Sequence, residues 1–208
     1  MASESYKRYS VLFASTLSFT VCFMIWMMLA VVGIPVKEQL GLSETQFGIL
    51  TATPVLSGAL VRVPLGIWTD KYGGRIVLFL LMISSVPAIY LMTYASTFWH
   101  FLAIGLVMGL AGGSFSVGTP YVARWFPKEK QGMAMGVFGA GNAGSAVNKF
   151  VAPALIAYGT WHLVPTVYAA IMLGTAILFW FMSYSNPAHK VSTSVTFKEQ
   201  LALLKDPG

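Results

Sequence analysis

Six long apolar stretches, separated by short polar breaks, leave this chain few ways to fold. They are read at residues 9–34, 44–66, 75–94, 98–121, 130–157 and 162–184. Each is near or above the roughly 20 residues that an α-helix needs to cross a hydrocarbon core. Only 10% of the 208 residues are charged and 56% are hydrophobic, whereas a soluble domain carries about a quarter charged residues. The expected fold is therefore all-α, a polytopic membrane protein of six transmembrane helices. The first apolar run, Val11 to Val32, is too long for the roughly 7–15-residue core of a signal peptide and is read as a retained helix.

The breaks carry their own chemistry. Gly33 and Pro35 are expected to end the first span, and Ser43 with Gln46 forms a capping box at the start of the second. Asp70 to Arg75 reads as a tight polar turn. The net charge of +6 is not spread as in a nucleic-acid binder but gathered in alternate loops. Lys7 and Arg8, then Lys71 and Arg75, then Arg124, Lys128 and Lys130, and finally Lys190, Lys198 and Lys205 mark one side. By the positive-inside rule both termini are expected in the cytoplasm, with the protein in the cell (inner) membrane. Trp99 and Trp161 read as interfacial anchors on the opposite side, beside His100 and His162. The lone cysteine, Cys22, forms no intrachain disulfide, and neither metal-ligand spacing nor a cofactor motif is present.

An ionisable side chain at the centre of a bilayer costs about 2.5–3.5 kcal/mol on insertion scales, so its presence calls for a reason. Two residues qualify, Arg62 and Lys149, and both are basic; no Asp or Glu lies deep in a span. Arg62 precedes Asp70 by two helical turns, roughly 12 Å at 1.5 Å per residue. Its guanidinium offers a rigid fork of donors that suits a planar oxyanion. Lys149 lies nearer the outer face, where it attracts an anion, titrates or snorkels. The fifth span also holds a ridge of small residues, Gly132, Gly136, Ala140 and Gly144, leading to Asn148. Such ridges let helix backbones approach closely. Asn142, Ser145 and Lys149 fall on a neighbouring polar face, read as lining a pathway. In the fourth span Phe115, between Ser114 and Ser116, is placed to stack on a flat ligand.

Two resemblances sharpen these readings. The turn Gly66-Ile67-Trp68-Thr69-Asp70-Lys71-Tyr72-Gly73-Gly74-Arg75 resembles the loop that major facilitator transporters carry between their second and third helices. Within that superfamily, Gly139-Ala140-Gly141-Asn142-Ala143-Gly144, Arg62-Val63-Pro64 and the Trp125–Gly132 segment are similar to the nitrate/nitrite porter family, over most of residues 10–205. The resemblance implies alternating-access transport of nitrate and nitrite without metal or cofactor. It implies that Arg62 binds the anion, Asn142 polarises its surroundings and Phe115 stacks on its plane. The family often has an asparagine where this chain has Ser114. Asp70, Arg75 and Arg124 are implied as a gate latch through ion pairs and a helix dipole. Porters of this kind have twelve helices in two halves, so residues 1–187 are expected to form the first half. Residues 188–208 then form a linker carrying a short amphipathic helix, Phe197, Leu201 and Leu204 on one face, ahead of a seventh helix. The implied partners are the anions, the lipid bilayer and the second six-helix half.

The absence of a deep carboxylate favours nitrate/nitrite exchange over nitrate–proton symport. The competing readings are a carrier of the same superfamily for another small anion, and a membrane anchor or assembly subunit of a respiratory complex. A haem anchor needs histidines within its helices, whereas His100 and His162 sit at helix ends. Neither paired intramembrane carboxylates nor a Ser/His set points to an enzyme.

Overall fold

The computed structural model describes residues 3–185; the expected linker of 188–208 lies outside them. Among the described residues all regular structure is helical, in nine α-helices and three 3₁₀ turns that join into six rods. The first rod is α1 (Glu4–Trp26) and α2 (Leu29–Leu40), the second α3 (Glu44–Tyr72), and the third α4 (Gly74–Leu91) with a short 3₁₀ extension. The fourth is α5 (Phe98–Met108), a 3₁₀ turn at Gly109–Gly113 and α6 (Ser114–Ala123). The fifth is α7 (Lys128–Gly139), a 3₁₀ turn at Ala140–Ala143 and α8 (Gly144–Tyr158), and the sixth is α9 (Leu163–Met182).

Five of these rods are long and apolar enough to cross a membrane. The fifth is equally continuous, but its glycines, asparagines and Lys149 lower its mean hydropathy. Polar character is a cost that a helix facing its neighbours or a watery cavity bears more easily than one facing lipid.

The first rod runs past Gly33 and Pro35 to Leu40, so these residues do not end it. Its real interruption is at Met27–Met28. There the Val31 amide turns to the Met28 carbonyl, and the Met27 carbonyl accepts from the Asn148 side chain at 2.8 Å. A side chain has intercepted a carbonyl of the helical ladder. The rod stops at Gly41, whose φ of 61° is left-handed, with Leu42 N–H donating back to Lys37 O. The Ser43–Gln46 capping box forms as expected. The polar turn is tighter than the sequence implied: α3 continues through Asp70 to Tyr72, and Gly73, at φ 86°, alone separates it from α4.

The first rod is the most buried of the five apolar ones. It packs on α9, on the fifth rod and on α6, while α3 packs on the fourth rod and α4 on α9. Cys22 is fully buried within this core. Ser10 Oγ donates to Met182 O at 2.6 Å, so both described ends of the chain meet at one end of the bundle, an even number of crossings apart. At the other end Trp161 is buried, not an exposed anchor: its indole N–H donates to Gln39 Oε1 at 2.7 Å and its ring stacks on His162. Trp99 is 71% exposed.

Candidate functional site

The face of the bundle carrying the expected site is built on aromatic rings from the first rod. Phe19, Phe23 and Trp26 recur at four- and three-residue steps and so line one stripe of α1. Phe19 stacks on Phe138 of α7 with centroids 4.9 Å apart. Phe115 of α6 lies 5.5 Å from Phe19 and 6.0 Å from Phe138, with 42% of its surface still exposed. Phe23 then meets Trp26 at 5.1 Å. The Trp26 indole N–H donates to Pro54 O of α3 at 2.8 Å, and the ring fills the space over Gly58 and Gly112, where a Cβ would come within 2.9 and 2.6 Å of it.

The ladder touches Phe115 directly, Asn142 through its neighbour Gly141, and the helix of Arg62 at Gly58. Arg62 stands one turn beyond Gly58, exposed, with neither hydrogen bond nor ion pair to any described residue. Asn142 follows Gly141, whose Cα is pressed on Phe19 so closely that a Cβ would lie 2.4 Å from the ring. Asn142 is exposed; its amide N–H donates to Gly139 O at 2.8 Å, and Ser145 Oγ donates to the Asn142 backbone carbonyl at 3.0 Å. These two side chains satisfy carbonyls of the 3₁₀ break, leaving the Asn142 side-chain oxygen turned to no described partner. Lys149 is exposed a turn further along α8. Ser114, beside Phe115, is buried rather than part of this face.

The small-residue ridge is only partly where the sequence put it. A Cβ on Gly144 would lie 2.0 Å from Thr20 O and 2.8 Å from Met24 N, so α8 and α1 touch backbone to backbone there. Gly132, Gly136 and Gly139 have nothing within 4 Å of such a Cβ. Asn148, at the end of the ridge, is 1% exposed and lines no pathway. Besides bonding Met27 O, its Oδ1 accepts from Tyr168 OH at 2.9 Å, which ties the first, fifth and sixth rods together.

The motif at the second–third junction lies at the end of the bundle where the chain's described ends meet. Asp70 Oδ1 pairs with Arg124 at 2.6 Å, joining α3 to the end of α6. Arg75 makes no ion pair with Asp70. Its guanidinium donates to Trp180 O at 2.8 Å and to Ser183 Oγ at 3.2 Å, and it lies 4.3 Å over the Trp180 ring. It thus occupies the carbonyl end of α9, the negative pole of that helix. Gly73 supplies the positive φ, and Gly74 admits Tyr121, whose Cβ would otherwise be 2.3 Å from a side chain. Asp70, Gly73, Gly74 and Arg75 thus have separate local tasks.

The ladder residues Phe19 and Trp26 were not legible as site components. Their signal was present as the aromatic stripe in the first span, but in an apolar run an aromatic stripe reads equally well as packing.

Residues 12–207 match the family described as Major Facilitator Superfamily. The chain is 39% identical over 193 residues to a protein named "Probable nitrate/nitrite antiporter NarK1" from Thermus thermophilus, covering 87% of this chain and 44% of that one. It is 31% identical over 192 residues to "Probable nitrate transporter NarT" of Staphylococcus carnosus, covering 92% of this chain and 49% of that one. Among solved structures, a bacterial homolog of the human lysosomal transporter Spinster superposes with a TM-score of 0.75 at 20% identity, over 99% of this chain and 50% of that one. The chain spans about half the length of the curated relatives it matches.

Proposed function

The chain belongs to the Major Facilitator Superfamily, and from that premise we propose that it is the first six-helix half of a nitrate/nitrite carrier working by alternating access. The observation that carries this reading is Arg62: a guanidinium in the span, on an exposed face, with no partner among the described residues. A charge left in that state in a membrane protein is a site in want of a counter-ion. The names of the matched relatives supply the identity of the anion.

In this reading the second half covers the exposed face, and Arg62 meets nitrate or nitrite through two parallel N–H···O bonds. The Phe115 ring, held by Phe19 and Phe138, presents a flat apolar surface to the planar anion, and Asn142 and Ser145 set the polarity beside it. Lys149 adds positive potential toward the far end. The Asp70–Arg124 pair and Arg75 at the α9 terminus form the latch at the end we take to be cytoplasmic, in the inner membrane. Exchange of nitrate for nitrite fits this half better than proton symport, since no carboxylate accompanies Arg62 at depth.

The test is Arg62→Lys in the complete carrier. It keeps the charge and loses the fork, and a hydrogen bond to a charged group is worth about 1.5–3 kcal/mol. The apparent affinity for nitrate is expected to fall roughly 10- to 150-fold at that magnitude. Near-normal nitrate counterflow by a correctly inserted variant would remove Arg62 from the binding site. Equal counterflow of a neutral sugar would sink the oxyanion reading altogether.

A further inference from the structure

The helices α3 and α4 each pack on the fourth rod more closely than on each other. The gap between them is a groove of about 720 Å³, walled by Leu65, Trp68 and Tyr72 on one side and Ile76 and Leu80 on the other, with Leu110 among its lining residues. It is apolar almost throughout and follows α3 from Val61 to Tyr72, roughly 16 Å of helix. No described part of the chain covers it: Trp68, Tyr72, Ile76 and Leu80 remain 51%, 53%, 42% and 56% exposed.

At its end by the basic turn the groove gives way to a second cavity of about 190 Å³ that is more polar and has two arginines in its wall. Tyr72 and Ile76 line both. The smaller one is otherwise walled by Gly73, Gly74, Arg75, Tyr121, Arg124 and Ser185. Arg75 spends two of its five donors on the sixth rod, leaving others for a ligand. Lys71 does not line this cavity, but its ammonium lies 5.2 Å from the ring of Tyr72, which lines both. The first turn of α4 begins there with no side-chain cap on its free N–H groups. One continuous site thus has a long apolar trough and a compact cationic head, with an aromatic residue at the border between them.

We propose that this flank holds one anionic phospholipid of the adjacent leaflet, its phosphate beside Arg75 and Lys71 and an acyl chain in the trough from Tyr72 toward Val61. The charge arrangement selects the occupant: a protein helix of apolar surface would satisfy the trough but not the head, and a free phosphate would satisfy only the head. Basic pockets between membrane helices bind anionic head groups by the same physics. The lipid then bridges α3 and α4, and through Arg75 it bears on the end of α9. The inference is independent of the transported anion.

Trp68 reports on the trough directly. The intact protein is placed in lipid nanodiscs containing either dibrominated phosphatidylglycerol or dibrominated phosphatidylcholine at equal mole fraction. The contribution of Trp68 among the six tryptophans is isolated by difference from Trp68→Phe. Bromine on the acyl chain quenches an indole only in contact. Quenching by the anionic lipid at least about threefold stronger than by the zwitterionic one is expected, with the ratio falling toward one in Lys71→Gln and in Arg75→Gln. Equal quenching by both lipids in the unaltered protein would overturn the proposal, because the head group is then not recognised. Absence of quenching by either would overturn it as well, since the trough is then closed by protein, whether the second half or a second copy.

Discussion

Gly144 and Gly136 belong to the same rod and the same i+4 ridge, yet only one of them touches anything. A methyl group on Gly144 would meet the Thr20 carbonyl at 2.0 Å, and neither backbone can move aside without parting the helices. Gly144→Ala is expected to lower the thermal unfolding midpoint of the purified protein by several degrees, since overpacking costs about 1–3 kcal/mol. Gly136→Ala, with open space at the same point, should leave the midpoint unchanged or raise it slightly, because alanine is the better helix former by up to about 1 kcal/mol. If both variants lose stability equally, the backbone contact at Gly144 is not what the ridge is for. The same logic separates Arg62 from Arg75. Both are arginines near α3, but Arg75 is committed to the carbonyl end of α9 while Arg62 bonds to no described residue.

At the scale of elements, the first rod is governed from outside itself. Its break at Met27–Met28 is matched to Asn148 on α8, which in turn is held by Tyr168 on α9. Asn148→Leu removes both bonds, leaving the Tyr168 hydroxyl without its acceptor in a dry interior and the Met27 carbonyl with only the Ala30 N–H. Interhelical hydrogen bonds in membranes average about 0.6 kcal/mol and reach about 2, so a combined loss of roughly 1–3 kcal/mol is expected on denaturant titration. Tyr168→Phe should lose less, because Asn148 keeps Met27. A larger loss for Tyr168→Phe than for Asn148→Leu would mean that the node is organised around the tyrosine. The Asp70–Arg124 pair makes a different kind of link. Its carboxylate side chain is 50% exposed, and exposed pairs contribute about 0–1 kcal/mol. Asp70→Asn is therefore expected to leave unfolding almost unaltered while changing transport rate in the complete carrier. A large loss of stability would make the pair a structural clamp instead of a latch.

For the whole molecule, the informative surface is the one left open. Phe115, Asn142, Lys149 and Arg62 are all exposed. The chain matches about half the length of its curated relatives. In our reading that surface is one wall of a central cavity. Residues 1–208 reconstituted alone are expected to give no nitrate–nitrite counterflow, and co-expression with a second six-helix half should restore it. Counterflow by the lone chain at the rate of the complete carrier would require either pairing of two copies or a pathway through a single bundle.

By itself the sequence determined the number and rough extent of the helices, the Ser43–Gln46 cap and the out-of-place Arg62. Each rests on a local quantity: hydropathy summed over a span, a three-residue spacing, or the cost of one charge in hydrocarbon. It misplaced the end of the first helix because Pro35 and Gly33 are strong breakers only where water competes for the freed backbone. In a helix already interrupted at Met27, the chain runs on to a glycine that can take a left-handed φ. Tertiary structure alone decided which glycines are contacts, that Asn148 ties three rods together, and that Arg75 binds the sixth helix and not Asp70. Those outcomes depend on which backbone lies across from a residue, and no property of the residue or its neighbours in sequence contains that information.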